Sequence, residues 1–284
     1  MNSKYIKIRK VNDLKRLGKI DVWVPAIGIG TWGIGGYSYP DYSLDSYYIE
    51  VLRYGISLGM WLVDTAEYYG GGHTEELVGE AIKVFPREEV LIVTKVWGTH
   101  LRYDDVLKAA RNSLRRLNIS YIDLYLVHWP NPSIPLRETM KAMEKLWYEG
   151  LARFIGVSNF SLIELKEARS YLNKTDIVVN QVKYSLLDRR VEKDLLPYME
   201  KEGILLMAYT PLEKGVLAKD PRLAEIGKKY GKTAAQVALN WLIYKENVMV
   251  IPKAANKKHL EENAGAMGWR LAREDYEYIS RLFS

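Results

Sequence analysis

Eight short apolar runs, rich in β-branched residues, recur along this chain of 284 residues, at 26–30, 60–65, 91–96, 121–129, 152–159, 175–181, 204–210 and 248–253. Most are continuous rather than alternating, the pattern of strands buried on both faces of a parallel sheet. Between them lie segments with apolar residues at helical spacing, at 44–58, 74–84, 104–117, 136–149, 161–172, 192–202 and 256–264. In 74–84, Leu77, Val78, Ala81 and Ile82 mark one face. In 104–117, Asp104 opens and Arg115 and Arg116 close, the polarity a helix dipole favours. The stretch 221–245 reads as two helices broken at Gly231, the second capped by Thr233. Strand and helix alternating eight times point to an α/β fold, a (β/α)8 TIM barrel, with a doubly wound sheet as the competitor. No Pro/Gly/Ser linker divides the chain, so residues 1–284 are read as a single barrel domain. Residues 4–24 precede the first strand and are expected to form a short hairpin closing the barrel floor.

Composition narrows the function. Apolar residues make up 48% and charged residues 27%, enough for a large core and too apolar for global disorder. The net charge of +6 is spread among interleaved acids and bases, so an anionic small ligand explains its sign as well as nucleic acid would, and no nucleic-acid partner is expected. The absence of cysteine excludes a disulfide scaffold, a thiolate metal site and a cysteine nucleophile. The four histidines, His73, His100, His128 and His259, lack metal-ligand spacing, so no metal is expected. No apolar run is long enough to span a membrane. The opening MNSKYIKIRK lacks the apolar core of a secretory signal, so a cytoplasmic location is expected. Zero cysteines, two glutamines and many Lys, Glu and Tyr residues suggest a heat-adapted source.

The apolar runs end in chemically capable side chains: Asp64, Lys95, His128, Ser158 with Asn159, Gln181, Tyr209 and Lys253. In a barrel, the C-terminal ends of the strands form the working face. Asp64 and Lys95, buried together, should pair, because an unpaired charge there is costly. The lysine should then lower the pKa of an adjacent tyrosine, Tyr68 or Tyr69, and suit it to give a proton to a carbonyl oxygen. A carbonyl that also needs hydride implies a nicotinamide, since no side chain supplies hydride. Residues 28–33, GIGTWG, formally match the G-x-G-x-x-G dinucleotide fingerprint. Gly35, Gly36 and Pro40 follow where a helix should start, so that reading is set aside. Gly70–Gly72 is taken as a flexible loop rather than a phosphate cradle.

Seven segments in register, DTAEYYGGGHTEELVGEAI (64–82), TKVW (94–97), VHWP (127–130), IGVSNF (155–160), NQVKYS (180–185), AYTPL (208–212) and IPKAANKKHLEEN (251–263), resemble the aldo-keto reductase superfamily, most of all its short-looped archaeal thermophilic alcohol dehydrogenases. The resemblance implies Tyr69 as general acid, Lys95 and Asp64 as the pair that tunes it, and His128 as the group orienting the carbonyl. It implies that Ser158, Asn159 and Gln181 hold the nicotinamide carboxamide and that Tyr209 stacks on the ring. Gly30, Thr31, Trp32 and Asp64 also fall at the cofactor. Thr210, Leu212 and Lys214 fall near the pyrophosphate, and Glu262 and Asn263 near the adenine. Trp32, Trp97 and Trp129 match apolar walls of the substrate pocket, beside Tyr69 and His128.

One departure bears on the cofactor. Members that prefer NADPH usually carry a serine after the lysine of I-P-K and an arginine near the start of the next helix; here Ala254 and His259 stand there, with Lys253 retained. A histidine lacks arginine's bidentate grip on phosphate, so NADH as well as NADPH is expected to serve. Eight residues, 213–220, follow Leu212 before Pro221, so the long specificity loops look absent and an open, aromatic-lined mouth for small aldehydes, ketones and alcohols is expected. The alternatives are a cofactor-binding regulatory subunit with little turnover and a barrel glycosidase. All four catalytic positions are intact, which favours the enzyme, and too few acids occupy strand ends for the glycosidase. A monomer is favoured over a dimer.

Overall fold

The structure is a computed structural model that describes residues 6–283. Residues 1–5, which carry part of the expected signal-free N-terminus and of the 4–24 hairpin segment, lie outside the described residues.

An antiparallel hairpin comes first, β1 (Leu14–Arg16) and β2 (Trp23–Pro25). Eight strands then pair in parallel, in chain order: β3 (Ile29–Gly30), β4 (Leu62–Asp64), β5 (Leu91–Val96), β6 (Ile122–Val127), β7 (Ala152–Ser158), β8 (Ile177–Lys183), β9 (Leu205–Tyr209) and β10 (Val248–Val250). Parallel bridges from Ile27 to Val250 and from Gly30 to Lys253 close the first strand onto the last. The helices between strands are α1 (Asp45–Ser57), α2 (His73–Ile82), α3 (Tyr103–Leu117), α4 (Leu136–Tyr148), α5 (Leu162–Ser170), α6 (Leu195–Glu202), α7 (Pro221–Lys228) and α8 (Ala234–Ile243). After β10 come α9 (Lys257–Ala264) and α10 (Arg273–Leu282). The fold is a (β/α)8 barrel, as expected. The GIGTWG segment belongs to its wall and the turn beyond, with no helix between it and Asp45.

Side-chain alternation along the strands separates two apolar layers. Leu62, Leu91, Val93, Leu124, Leu126, Val179, Leu205 and Met207 point into the barrel, while Val63, Ile92, Tyr125, Val157, Leu206 and Val250 pack against the helices. Leu17 and Val24 of the hairpin join the inner layer, so the hairpin does close the floor. Gly156 is required here: a Cβ would lie 2.6 Å from Leu126 Cδ2 and 2.7 Å from the Val179 carbonyl oxygen.

The two helices expected over 221–245 are α7 and α8, and Thr233 with Gln236 forms a reciprocal capping box at the second. Helix α10 was not foreseen. Ile279 is its one fully buried residue, and the half-buried Tyr276 docks by stacking on Tyr244 and Trp241, contacts that lie outside the segment's own periodicity. Gly70–Gly72, expected to be flexible, is a hydrogen-bonded turn. The Gly70 and Gly71 amides donate to Tyr37 and Tyr68 carbonyls, and all three glycines take left-handed φ angles that a side chain would strain.

Candidate active site

The strand alternation that builds the inner layer also builds the site. Two residues beyond Leu62 the next inward side chain is Asp64; beyond Leu91 and Val93 it is Lys95; beyond Leu124 and Leu126 it is His128. Gln181 follows Val179, and Tyr209 follows Leu205 and Met207 in the same way. Each functional group is thus the topmost rung of an apolar ladder, rigidly held by the strand beneath it.

The Lys95 ammonium is fully buried and donates to Asp64 Oδ2 at 2.9 Å, the Thr65 carbonyl at 2.8 Å and the Tyr69 hydroxyl at 3.1 Å. Burial alone would lower its pKa, but Asp64 and Tyr69 more than compensate and the net direction is up, so it stays charged. An ammonium has no lone pair, so the Tyr69 oxygen must accept and its own proton is free to be given elsewhere. The expected lowering of Tyr69 is corrected by the structure. Burial raises its pKa, and the opposing pull of Lys95 does not fully cancel that in the free site. The phenol is therefore held protonated at neutral pH, with a cation placed to stabilise its anion.

His128 has its pKa pushed down to about 2 by burial and by Lys95, so the imidazole is neutral. Its Nδ1 is buried and has no hydrogen-bond partner among the described residues. Its ring lies edge-on to Tyr69, with centroids 5.6 Å apart.

An amide-rich chain runs beside this group. Asn159, in a left-handed conformation, donates from Nδ2 to the His128 carbonyl at 3.0 Å and to Ser158 Oγ at 3.1 Å. It accepts from the Tyr209 hydroxyl at 2.8 Å. Gln181 Nε2 donates to Asp64 Oδ1 at 2.7 Å. From here one cleft of about 790 Å³ runs outward past Gly30, Thr31 and Trp32, along Thr210, Leu212 and Lys214, to Lys253, His259, Glu262 and Asn263. Thr210, Glu213 and Lys214 take left-handed φ, turning the chain sharply along that groove. Trp97 and Trp129 line its other end. Among the described residues no group of three or more His, Cys, Asp or Glu could hold a metal, and no helix is long and apolar enough to cross a membrane.

The cleft thus gathers all but two of the residues singled out from sequence. Lys95 is sealed behind Tyr69 and Asp64 and reaches the cleft only through them. Ala254, expected at the cofactor, is 1% exposed and packs in the outer core with Leu260, because neighbouring positions after β10 face opposite sides. Tyr37 was missed, and Tyr68 was weighed beside Tyr69 but given no place among the site residues, yet both line the cleft. The adjacent pair Tyr68–Tyr69 just past a strand end was the available signal. The donor set fits a nicotinamide cofactor: an amide-binding chain beside the proton donor, then an extended groove ending at exposed Lys253 and His259.

The aldo/keto reductase family model matches residues 26–283. Methylglyoxal reductase YeaE of Escherichia coli is 38% identical over 268 residues, covering 93% of this chain and 92% of the relative. The glyoxal reductase of Bacillus subtilis is 38% identical over 237 residues, covering 82% of each. A solved thermostable aldo-keto reductase, Tm1743 with the inhibitor epalrestat, superposes with a TM-score of 0.91 at 49% identity, over 95% of this chain and 99% of that one. An aldo/keto reductase from Klebsiella pneumoniae, in complex with NADP and acetate, superposes with a TM-score of 0.87 at 37% identity over 96% of each chain. With its barrel, its convergent strand ends and a family match over nearly its whole length, this chain is an oxidoreductase that belongs to the aldo/keto reductase family.

Proposed function

We propose that this oxidoreductase reversibly moves hydride between NAD(H) or NADP(H) and a small aldehyde or ketone, or the matching alcohol, with Tyr69 as the proton donor. The observation that carries the reading is the Lys95 ammonium donating to the Tyr69 hydroxyl at 3.1 Å while Asp64 holds the ammonium. When bound, the nicotinamide supplies the hydride. Ser158, Asn159 and Gln181 would hold its carboxamide end and Tyr209 would flank the ring, with Lys253 and His259 at the far end of the groove. Neutral His128 orients the carbonyl oxygen by a hydrogen bond and cannot compete as the acid. As hydride reaches the carbonyl carbon, Tyr69 gives its proton to the oxygen, and Lys95 stabilises the phenolate that forms. In the reverse direction that phenolate takes the alcohol proton.

Two relatives carry the names of methylglyoxal and glyoxal reductases, so small dicarbonyls are the first substrates to present, with both cofactors. The test follows nicotinamide absorbance for wild type and Tyr69→Phe. Carbonyl reduction by wild type and a loss of about a hundred- to ten-thousand-fold in the variant, with cofactor binding kept, are expected. Comparable turnover by Tyr69→Phe would sink the assignment. The reading includes a single-domain, monomeric, heat-stable cytoplasmic protein; the eight strands in one barrel sheet support the single domain, and the absence of cysteine supports heat adaptation.

A further inference from the structure

Five aromatic rings close into a circuit at the substrate end of the cleft. Tyr69 meets Trp32 edge-on at 4.9 Å, and Trp32 lies parallel to Tyr68 within 10° at 6.2 Å. Tyr68 stacks on Trp97 within 12° at 4.1 Å, Trp97 meets His128 edge-on at 5.1 Å, and His128 returns to Tyr69 at 5.6 Å. The proton donor and the orienting histidine form one side of this circuit. Tyr68 is its opposite member, stacked on the Trp97 indole and lying parallel to the Trp32 indole farther off.

The ring is fixed. The Tyr68 and Ser38 hydroxyls lie 3.0 Å apart, tying the ring to the segment that carries Trp32 and Tyr37. The Trp97 backbone amide donates to Glu67 Oε1 at 2.6 Å, fixing the other indole to the residue just before Tyr68. The stack on Trp97 holds the ring in place and the hydroxyl contact orients it, so the room beside the reacting carbonyl is set by Tyr68. The walls it holds apart are faces and edges of flat rings, which complement a flat or compact substituent and exclude a thick, sp3-branched one.

From this circuit we infer that Tyr68 is a specificity-determining residue that restricts the site to carbonyls bearing compact or planar substituents. The inference rests on the carbonyl-reducing reading above. Removing the Tyr68 side chain leaves Trp32 and Trp97 without the ring between them and admits thicker groups.

The test compares benzaldehyde with cyclohexanecarbaldehyde, two aldehydes of equal heavy-atom number that differ in thickness. kcat/KM is measured for each with wild type, Tyr68→Leu and Tyr68→Phe. The ratio of the two values is the readout, so their intrinsic reactivities cancel between variants. Tyr68→Leu is expected to lower the preference for the flat aldehyde about tenfold, the scale on which pocket shape discriminates. Tyr68→Phe, which keeps the ring, is expected to hold the wild-type ratio. An unchanged ratio in Tyr68→Leu would overturn the inference while leaving carbonyl reduction intact. So would a Tyr68→Phe ratio that falls as far as the leucine's, since the hydroxyl and not the ring would then decide. No turnover of either aldehyde, or of a dicarbonyl, by wild type would overturn the carbonyl-reducing reading, and this inference with it.

Discussion

Lys253 and His259 stand exposed where the cleft runs out over the first turn of α9. The His259 amide donates to Asn256 Oδ1 at 2.9 Å, and its Nδ1 lies 3.1 Å from Asn256 Nδ2. Because that amide nitrogen can only donate, Nδ1 accepts, leaving Nε2 as the single donor toward a ligand. An arginine would present a fixed fork of donors and a permanent charge. His259→Arg is therefore expected to tighten NADPH relative to NADH by about tenfold, the worth of one charge-assisted hydrogen bond. Dissociation constants from fluorescence titration check this, and an unchanged ratio would refute it. At this scale the residue types at the strand ends were readable, because chemistry at a strand end needs a particular side chain. The direction of the Tyr69 shift was not, because it depends on how deeply the phenol is buried against how close Lys95 lies.

The hairpin shows what an element adds beyond its own residues. Lys15 on β1 is buried and donates to the carbonyls of Ile243 at 2.6 Å and Lys245 at 2.7 Å, at the C-terminal end of α8. Burial, with help from Arg270 and against Asp13, brings its pKa from 10.5 down to about 8. The neutral amine still has two N–H groups for the two carbonyls. Since the folded pKa lies below the unfolded one, the unfolded chain binds more protons between about pH 8 and 10.5, and this residue's contribution to stability rises with pH across that window. Denaturant unfolding of wild type and Lys15→Met at several pH values should show wild type gaining on the variant as pH rises through it. A difference independent of pH would contradict the assignment. The strands were legible as short apolar runs, and α1 to α8 from periodicity, because each of those helices turns two or more buried apolar residues to the core. Helix α10 commits one buried residue, and its docking is a tertiary matter.

Across the whole molecule, ion pairs join segments far apart in sequence. Asp13 of the hairpin region pairs with Arg270 at 2.5 Å, Asp123 accepts from both Arg87 and Arg153, and Arg169 links Asp176 with Glu202. Networks of this kind gain weight at high temperature, where desolvating charge costs less. A melting temperature above the mesophile range of about 45–65 °C is expected by calorimetry, and a value inside it would count against heat adaptation. The sequence by itself determined the barrel and which side chains crown its strands, because period-2 alternation carries the inward face straight from leucine to Asp64, Lys95 or His128. Only the tertiary structure decided that Ala254 turns into the core, that burial outweighs the pull of Lys95 on the Tyr69 phenol, and that Tyr68 closes a circuit with Trp32 and Trp97. Those outcomes depend on the approach of separate strands and loops in space, which no spacing along one segment encodes.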